Sequence, residues 1–329
     1  MSTVLGSLRR LAMAPSLAAV TFRQRGFPVR PSAVTERLEA IPQSVICGFE
    51  WAIDSRDQWE VERRLAIVEP ELRGFAYEGA TMAFTIRDAM RGERSRAFLL
   101  GPAQPYIFLT YIGIGFAMAR LPRRLWSKVL PDLDGSPYYP TMSWLAVDGY
   151  GFDRAYFDTE RWVDGQFVPA PYPWAGDPDY FLRAVDQGIG RALWFMHGAD
   201  VAAVAARVAG FAGHRRPDLW SGVGLAAAFA GGADAQDLTE LRKLAEDYRP
   251  EVGLGAVLAA KARDYAGHIP RYTAEATFAL TDLTVAEAVE LADSTEDHAH
   301  AGGPVPAYEL WRQSIRARFA ERDGRVTGR

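Results

Sequence analysis

In the second half of the chain, apolar residues recur three and four positions apart, which places them on one face of an α-helix. The stretches 201–212 and 238–248 both have this spacing. An aspartate precedes each stretch, Asp200 or Asp234, at the position where a side-chain oxygen caps the first turn of a helix. Further on, Pro217 stands beside an acid at the start of an apolar segment, which is typical of a helix start. The pattern therefore predicts pairs of helices joined by short turns.

A Gly-x-Gly pair recurs inside apolar, alanine-rich stretches, and successive copies are 31 to 39 residues apart. A period of this length is typical of stacked helical hairpins. Glycine within a helix costs about 1 kcal/mol relative to alanine, but it lets two helix backbones approach each other closely. The copies lie at Gly113–Gly115, Gly149–Gly151, Gly188–Gly190, Gly222–Gly224 and Gly253–Gly255, with a degenerate copy at Gly79.

Together these patterns predict an all-α protein of repeated helical hairpins of about 35 residues, either a tetratricopeptide-like solenoid or a closed helical array. A basic arm is expected at 1–35, followed by a single helical-repeat domain over 36–320. The last segment, 321–329, is polar and has no apolar face, so a flexible tail is expected there.

Composition limits the classes of protein that the chain can form. Its 329 residues are 49% hydrophobic and 24% charged, which suits a globular protein with a sizeable core. Cys47 is the only cysteine, so an internal disulfide and a four-cysteine zinc site are excluded. The net charge of -4 argues against a nucleic-acid-binding protein. The basic arm has no acid before Glu36. It is interpreted either as a contact for anionic lipid or an acidic partner, or as a solvated, partly helical terminus.

Two segments have features of membrane or targeting sequences. Residues 98–119 carry no charge, but Pro102 and Pro105 interrupt them, so we expect a buried core helix rather than a membrane span. Near the N-terminus, an Arg-Arg pair followed by the apolar residues 11–22 resembles a weak export signal, which Pro15 interrupts. A cytoplasmic protein is therefore expected.

The context of two cofactor-like motifs argues against their usual meaning. Gly222-x-Gly224-x-x-Ala227 matches a dinucleotide-binding fingerprint, but no strand precedes it. His298 and His300 follow two acids and are interpreted as part of an exposed turn rather than as a metal site. The sequence therefore predicts no cofactor and no metal.

Two loops rich in proline and aromatic residues, 131–140 and 158–180, interrupt the repeat. Insertions in a helical-repeat protein collect on one face, which is often the binding face. These loops are interpreted either as the cap of a pocket for an apolar ligand or as surface loops anchored by their aromatic side chains.

Charged residues stand close to the glycines of the predicted core helices. Such residues are seldom buried unless they are paired. If these helices line one cavity, the carboxylates gather near Arg191, acquire shifted pKa values and act as acid or base. The alternative is a ladder of structural salt bridges and caps between repeats. The candidate catalytic residues are Glu78, Asp148, Asp186 and Arg191.

Longer motifs also follow one another along the chain: RGFAYEGA from Arg73, YIGIG from Tyr111, DGYGF from Asp148, DQGIGR from Asp186 and DLWSGVGLA from Asp218. Their sequence and order resemble a bacterial family that accompanies biosynthetic clusters for enediyne antibiotics and has no assigned biochemical role. The resemblance extends over residues 5–318. It implies a pathway rather than a reaction, and it transfers no catalytic residues.

One hypothesis that the resemblance implies is an enzyme of enediyne polyketide biosynthesis. It would bind a linear conjugated polyene released by the polyketide synthase and help convert it to the enediyne core. The charged candidates would carry the proton chemistry, in a closed apolar pocket. The aromatic residues assigned to substrate binding are Tyr77, Tyr111, Phe152, Trp194 and Trp220.

The other hypothesis is a non-catalytic scaffold that binds proteins along its helices, as tetratricopeptide-like solenoids do. Its partners would be the polyketide synthase and a membrane-bound redox enzyme, and the basic arm would touch the membrane surface. An open polar groove, rather than a closed apolar pocket, is expected in this case.

Overall fold

The regular elements of the chain are helices. The structure, a computed structural model, describes residues 15–55, 57–90, 92–296 and 303–327. Among these residues there is no β-strand, which confirms the predicted all-α class. The chain divides into two compact units, Met1–Phe157 and Asp158–Arg329. A single helical-repeat domain over 36–320 stays a prediction.

The first unit is built from long helices with shorter ones between them. Its α-helices are α1 (Phe22–Arg25), α2 (Ala33–Asp54), α3 (Gln58–Ala66), α4 (Pro70–Met90), α5 (Arg94–Leu100), α6 (Ile107–Arg120) and α7 (Trp144–Phe157). The helices α2, α4, α6 and α7 pack against one another in this order, and the short α3 and α5 both pack against α4.

The second unit alternates longer and shorter helices. Its α-helices are α8 (Pro178–Met196), α9 (Val201–Ala209), α10 (Arg216–Ala230), α11 (Ala235–Leu244), α12 (Arg249–Tyr265), α13 (Arg271–Thr281), α14 (Val285–Thr295) and α15 (Ala307–Thr327). The helices α8, α10 and α12 pack side by side in chain order, and α9, α11 and α13 form a second row. Both α14 and α15 pack against α12.

Side-chain caps begin α9 and α11 where the sequence predicted them. The Asp200 carboxylate accepts a hydrogen bond from the N–H of Ala203 at 2.9 Å. The Asp234 carboxylate accepts one from the N–H of Asp237, also at 2.9 Å. Pro217 lies in the first turn of α10. These local signals therefore fix where the helices of the second unit begin.

The glycine pairs let one helix backbone lie against two neighbours at once. Residues two positions apart are about 200° apart around an α-helix, so the two glycines point to opposite sides. In α6, a Cβ atom on Gly113 would overlap the carbonyl oxygen of Glu78 on α4. A Cβ atom on Gly115 would overlap the carbonyl oxygen of Ala146 on α7.

The same arrangement recurs in the second unit. In α10, Gly222 faces the carbonyl oxygen of Gln187 on α8, and Gly224 faces that of Val252 on α12. In α12, by contrast, a Cβ atom on Gly253 would lie 3.1 Å from the ring of Phe319 on α15. The helix α15 therefore covers this glycine face of α12.

The described part of the basic arm predicted at 1–35 is anchored to the first unit by a few buried residues, while most of its other positions are exposed. Phe22 is buried. The Arg25 guanidinium donates hydrogen bonds to the backbone carbonyls of Tyr156, at 3.1 Å, and Phe157, at 2.6 Å, where α7 ends. The Arg-Arg pair of the arm lies outside the described residues, and membrane contact through the arm stays a prediction.

A bend divides the uncharged stretch 98–119. The helical segments Arg94–Leu100 and Gln104–Arg120 meet at 87°, and only together are they long and apolar enough for a membrane span. In the described parts of the chain, no single helix is long and apolar enough to cross a membrane. Residues 107–119 of α6 are all buried, as expected of a core helix.

The last helix reaches further than the sequence indicated. Because α15 ends at Thr327, most of the segment 321–329, predicted as a flexible tail, is helical. No proline interrupts α15, and its alanine, arginine and glutamate residues favour a helix. Residues 328–329 lie outside the described part of the chain.

The loop predicted at 158–180 ends where α8 begins, so the aromatic loop of the second unit covers 158–177. It includes a π-helical turn, Glu160–Asp164, and a 3-10 turn, Trp174–Gly176. Trp162 and Trp174 are buried. The ring of Trp162 packs against Phe167 with 5.2 Å between ring centroids. These side chains fit the interpretation of a loop anchored by its aromatic residues.

Candidate functional site

The four candidate catalytic residues lie in two different units. Glu78 on α4 and Asp148 on α7 belong to the first unit, whereas Asp186 and Arg191 on α8 belong to the second. All four are buried. Their convergence on one cavity stays a prediction. The surroundings of Asp186 are the best defined of the four.

Asp186 and Arg215 meet because α8 and α10 pack side by side. The two helices approach closely where Gly190 lies against the carbonyl oxygen of Leu219. Four residues before each of these positions, about one helical turn, stand Asp186 and Arg215. The backbone contact therefore brings a carboxylate and a guanidinium to the same level.

Arg215 holds both oxygens of the Asp186 carboxylate. Its Nη2 lies 2.5 Å from Oδ1, and its Nε lies 3.0 Å from Oδ2. Both side chains are buried, with exposed fractions of 5% for Arg215 and 10% for Asp186. Because one guanidinium donates to both carboxylate oxygens, this bidentate ion pair fixes the orientation of the carboxylate. The guanidinium bound to Asp186 is thus that of Arg215, although Arg191 was the arginine chosen from the sequence.

The environment of Asp186 makes it a weak acid. Burial raises the pKa of Asp186 to about 6. Arg215 and His214 lower this pKa, and repulsion by Asp218 raises it, but burial has the largest effect. A carboxyl group with this pKa gains and loses its proton near neutral pH, as general acid–base catalysis requires.

Arg215 also reaches the aromatic loop. Its Nη1 donates a hydrogen bond to the backbone carbonyl of Gln166 at 3.1 Å. The side-chain amide of Gln166 donates in turn to the carbonyl of Gly210 at 2.7 Å. The Arg215 guanidinium lies over the ring of Phe211, 4.9 Å from its centroid. One side chain therefore connects α8, the loop and the segment before α10.

A second ion pair follows the same rule. Gly222 lies against the carbonyl oxygen of Gln187, and one turn earlier on the two helices stand Asp218 and Arg183. The Nε of Arg183 lies 2.8 Å from Oδ2 of Asp218. The two pairs are salt bridges between neighbouring helices, which is the geometry that the ladder interpretation described.

Asp218 also belongs to a buried cluster that includes α15. The side chain of Arg312 is 2% exposed. Its Nη2 lies 3.2 Å from Oδ1 of Asp218, and its Nε lies 3.3 Å from Oε2 of Glu309. The hydroxyl of Tyr180 donates a hydrogen bond to Glu309 at 2.9 Å. Burial alone would raise the pKa of Glu309, but Arg312 and two further arginines lower it to about 2. The carboxylate stays ionised, so the cluster fixes α15. Sequence reasoning missed the cluster because Tyr180, Glu309 and Arg312 belong to none of the motifs.

Three residues assigned to substrate binding lie in the first unit. Tyr77 stacks on Tyr106, and Phe152 stacks on Tyr156, with ring centroids 4.6 Å and 5.7 Å apart. Tyr111 is fully buried, and its hydroxyl has no hydrogen-bond partner among the described residues. All three side chains pack against their own unit, and their role in substrate binding stays a prediction.

The other two residues assigned to substrate binding lie in the second unit. Trp194 on α8 and Trp220 on α10 are buried. The indole N–H of Trp194 donates a hydrogen bond to the backbone carbonyl of Gly231 at 2.8 Å, where α10 ends. The Trp194 ring therefore joins α8 to the end of α10, and its contact with a ligand stays a prediction.

The described residues include no group of three or more histidine, cysteine, aspartate or glutamate side chains that could hold a metal ion. His298 and His300, interpreted as part of an exposed turn, lie outside the described residues. The expectation that this His-x-His pair binds no metal stays a prediction.

A cavity of about 320 Å³ lies in the second unit, between the start of α12 and α15. Its lining includes Asp247, Glu251, Gln313 and Arg316. Burial raises the pKa of Glu251. The polar lining resembles the groove expected of a scaffold more than the closed apolar pocket expected of a polyene-binding enzyme.

These features define an all-helical protein whose helices approach through glycine pairs and are joined by buried ion pairs. The chain belongs to the family described as protein of unknown function (DUF1702), whose model matches residues 4–319. No curated protein and no solved structure matches the chain.

Proposed function

We propose that the protein binds a linear conjugated polyene in enediyne polyketide biosynthesis and helps convert it to the enediyne core. The resemblance of its ordered motifs to the enediyne-cluster family supports the pathway. The observation that supports a chemical role is the buried carboxyl of Asp186, whose pKa is raised to about 6. In this proposal Asp186 gives a proton to the ligand or takes one from it, in a cytoplasmic protein.

Proton exchange at a buried carboxyl suits a conjugated polyene. Transfer of the Asp186 proton to one carbon breaks an O–H bond and forms a C–H bond, and the positive charge spreads over the conjugated chain. Loss of a proton from another carbon restores the carboxyl and shifts the double bonds. The sum is an isomerisation or cyclisation without net oxidation. We assign this part of the conversion to Asp186.

The aromatic loop supplies suitable neighbours for such a ligand. Arg215 connects the Asp186 carboxylate to the loop through Gln166, and the loop carries the half-buried aromatic rings of Phe167 and Tyr172. Flat aromatic rings pack well against flat, apolar ligands. We therefore infer that the polyene approaches Asp186 from the side of the loop.

Reconstitution with the polyketide synthase of the same cluster tests the chemical role. Asp186→Asn keeps the size of the side chain but removes the exchangeable proton. We expect conversion of the polyene to fall by about 100-fold, while native mass spectrometry and polyene absorbance still detect bound ligand.

Asp153→Asn is the matched control for this experiment. It removes a different buried carboxylate, which lies 2.6 Å from Nη1 of Arg120 in the first unit. We expect this variant to convert the polyene as the wild type does. Equal losses in the two variants, or full conversion by Asp186→Asn, would show that Asp186 performs no proton chemistry.

We also infer that both units are built from one repeated helical hairpin of about 35 residues, in a tetratricopeptide-like arrangement. The regular spacing of the glycine pairs supports this inference. So does the alternation of two rows of helices in the second unit. A solenoid and a closed array of these hairpins differ in dimensions, which small-angle X-ray scattering measures.

A second candidate function is a non-catalytic scaffold, which an exposed face of α3 favours. Trp59 is 60% exposed, and Ile67, just beyond α3, is 80% exposed. The Arg63 guanidinium lies 4.7 Å from the centroid of a Trp59 ring. Val61 and Leu65 hold the opposite face in the core. Exposed tryptophan and arginine residues often dominate protein–protein contacts.

The scaffold is tested by binding to the purified polyketide synthase. Trp59→Ala combined with Ile67→Ser should weaken binding by about tenfold or more if α3 is the contact. Phe278→Ser is the control, because Phe278 is a similarly exposed apolar residue, at 58%, in the second unit. Unchanged binding by the α3 variant, or equal weakening by the control, would exclude α3 as the contact.

A further inference from the structure

We propose that Arg215 is a positioning residue, which orients the Asp186 carboxyl and holds the aromatic loop, so that one proton on Asp186 changes the order of both. The catalytic meaning of this coupling rests on the proposed function. The coupling itself is a property of the folded chain and is measured without a ligand.

The first step is the division of the Arg215 donors between two parts of the second unit. Nε and Nη2 bind the Asp186 carboxylate on α8, whereas Nη1 binds the carbonyl of Gln166 in the loop. The guanidinium is planar and rigid, so its donors keep a fixed geometry. A change in how it binds the carboxylate therefore changes how it binds the loop.

Gln166 is the loop residue whose backbone carbonyl binds Arg215, so a shift of the guanidinium acts on the loop at this residue. Its φ angle of 50° lies in the left-handed region, which few residues other than glycine adopt. Its side chain donates to the carbonyl of Gly210, and the next residue, Phe167, packs against Trp162. Displacement of the Gln166 carbonyl is therefore transmitted to this pair of aromatic rings.

The charges around Asp186 determine how it responds to pH. Arg215 and His214, which precede α10, favour the ionised carboxylate, and Asp218 on α10 disfavours it. Hydrogen bonds from a guanidinium to a carboxylate are stronger than those to a neutral carboxyl. Protonation of Asp186 therefore weakens the hydrogen bonds between Asp186 and Arg215. Because the same guanidinium binds the Gln166 carbonyl, we expect the loop to be held less firmly as well.

The other charged groups nearby have partners of their own. From α9, Arg207 lies 2.7 Å from Asp164 in the loop. On α8, Arg183 is paired with Asp218. Arg207 and Arg215 thus both bind the loop, and of these two contacts only that of Arg215 involves the carboxyl whose pKa is raised to about 6.

Two substitutions separate the charge of Arg215 from its shape. Arg215→Lys keeps a positive charge near Asp186, but one ammonium group cannot bind the carboxylate and the Gln166 carbonyl in the fixed geometry of the guanidinium. Arg215→Gln removes the charge as well. A positioning role predicts that both variants loosen the loop, and that only Arg215→Gln strongly changes the titration of Asp186.

The experiment uses the full-length protein without ligand, between about pH 5 and pH 8, the range around neutrality in which a perturbed carboxyl titrates. Carbon-13 NMR follows the Asp186 carboxyl, and hydrogen–deuterium exchange follows the amides of 158–177. In the wild type, we expect loop exchange to rise by about tenfold as Asp186 takes up its proton. Asp186→Asn should abolish this pH step.

Arg215→Gln should move the midpoint of the Asp186 titration to higher pH. Arg215→Lys should leave this midpoint nearly unchanged, while the amides of the loop exchange faster.

Arg207→Lys is the control, because Arg207 binds the loop without touching Asp186. It should leave the Asp186 midpoint unchanged. The proposal is wrong if wild-type loop exchange does not change over the range where Asp186 titrates, or if Arg215→Lys protects the loop as well as arginine does. If Arg215→Gln fails to fold, Arg215→Lys and Asp186→Asn decide the matter. A coupled loop in a protein whose Asp186→Asn variant still converts polyene would refute the proposed function alone.

Discussion

A buried carboxyl with a raised pKa lowers the stability of a protein whenever it is ionised. For Asp186, the folded-state pKa of about 6 lies above the ordinary value of 3.8, so the folded chain binds the proton more tightly than the unfolded chain does. The free energy of unfolding contributed by this group therefore falls as the pH rises through this window, and it stays low above the folded-state pKa. The full change amounts to about 3 kcal/mol.

Asp186→Asn should remove this dependence on pH. Urea unfolding at about pH 4 and about pH 7 should show the wild type losing about 2 kcal/mol relative to the variant as the pH rises, because the unfolded carboxyl is already partly ionised at the lower pH. Asp200→Asn, which keeps an effective helix cap on α9, should behave as the wild type does. Parallel pH profiles for the wild type and Asp186→Asn would show that burial does not perturb this carboxyl.

The sequence was sufficient to choose Asp186 and insufficient to find its partner. Asp186 stands among apolar residues of a core helix, so its burial could be predicted. Arg191 was chosen because it flanks the Gly188–Gly190 pair of the same helix, but residues five apart, such as Asp186 and Arg191, do not face each other on a helix. Arg215 is 29 positions away. Finding it requires the alignment of α8 against α10, which the positions of single glycines do not specify.

At the scale of a helix, each glycine in a pair has two opposing effects: it lowers the helix propensity, and it allows two helix backbones to come into contact. Alanine at Gly222 would gain about 1 kcal/mol of helix propensity. Its Cβ atom, however, would overlap the carbonyl oxygen of Gln187. Because a backbone carbonyl cannot move without its helix, α8 and α10 would have to separate. The same reasoning applies to Gly115 between α6 and α7.

Gly222→Ala is therefore expected to lower the free energy of unfolding by about 2 to 3 kcal/mol, measured by urea unfolding. Gly213→Ala is the matched control, since nothing lies within 4 Å of a Cβ atom built there. It should be neutral or slightly stabilising. If the two substitutions have the same effect, α8 and α10 do not meet through their backbones.

The helices themselves were more predictable than the contacts between them. Caps such as Asp200 and Asp234 act within one turn, so a local pattern reveals them. The contact of Tyr180 with Glu309 joins residues 129 positions apart. Such a contact depends on where α15 packs. The apolar residues of α15, at positions 308, 311, 315 and 319, predict a buried face but not the helices that cover it.

At the scale of the whole molecule, the second unit has a core of its own that α15 completes. Trp311 and Ile315 on α15 are buried, and Phe319 covers the glycine face of α12. Arg312 joins the same helix to Asp218 on α10. Apolar burial and a buried ion pair therefore act together, and removal of α15 would leave Asp218 short of a partner in the interior.

The fragment 158–329 is accordingly expected to fold alone, with helical circular dichroism and a cooperative urea transition. The shorter fragment 158–303, which lacks α15, should lose that cooperativity and expose the apolar side of α12. In the longer fragment, Arg312→Ala should cost about 2 to 3 kcal/mol, because it removes the buried cation between Asp218 and Glu309 while Arg183 and Arg316 remain. Arg271→Ala, which breaks an exposed ion pair within α13, should change stability by less than about 1 kcal/mol. A cooperative transition in the shorter fragment, at the same urea concentration as in the longer one, would place α15 outside the core. The ion cluster would then only attach α15 to a unit that is already stable.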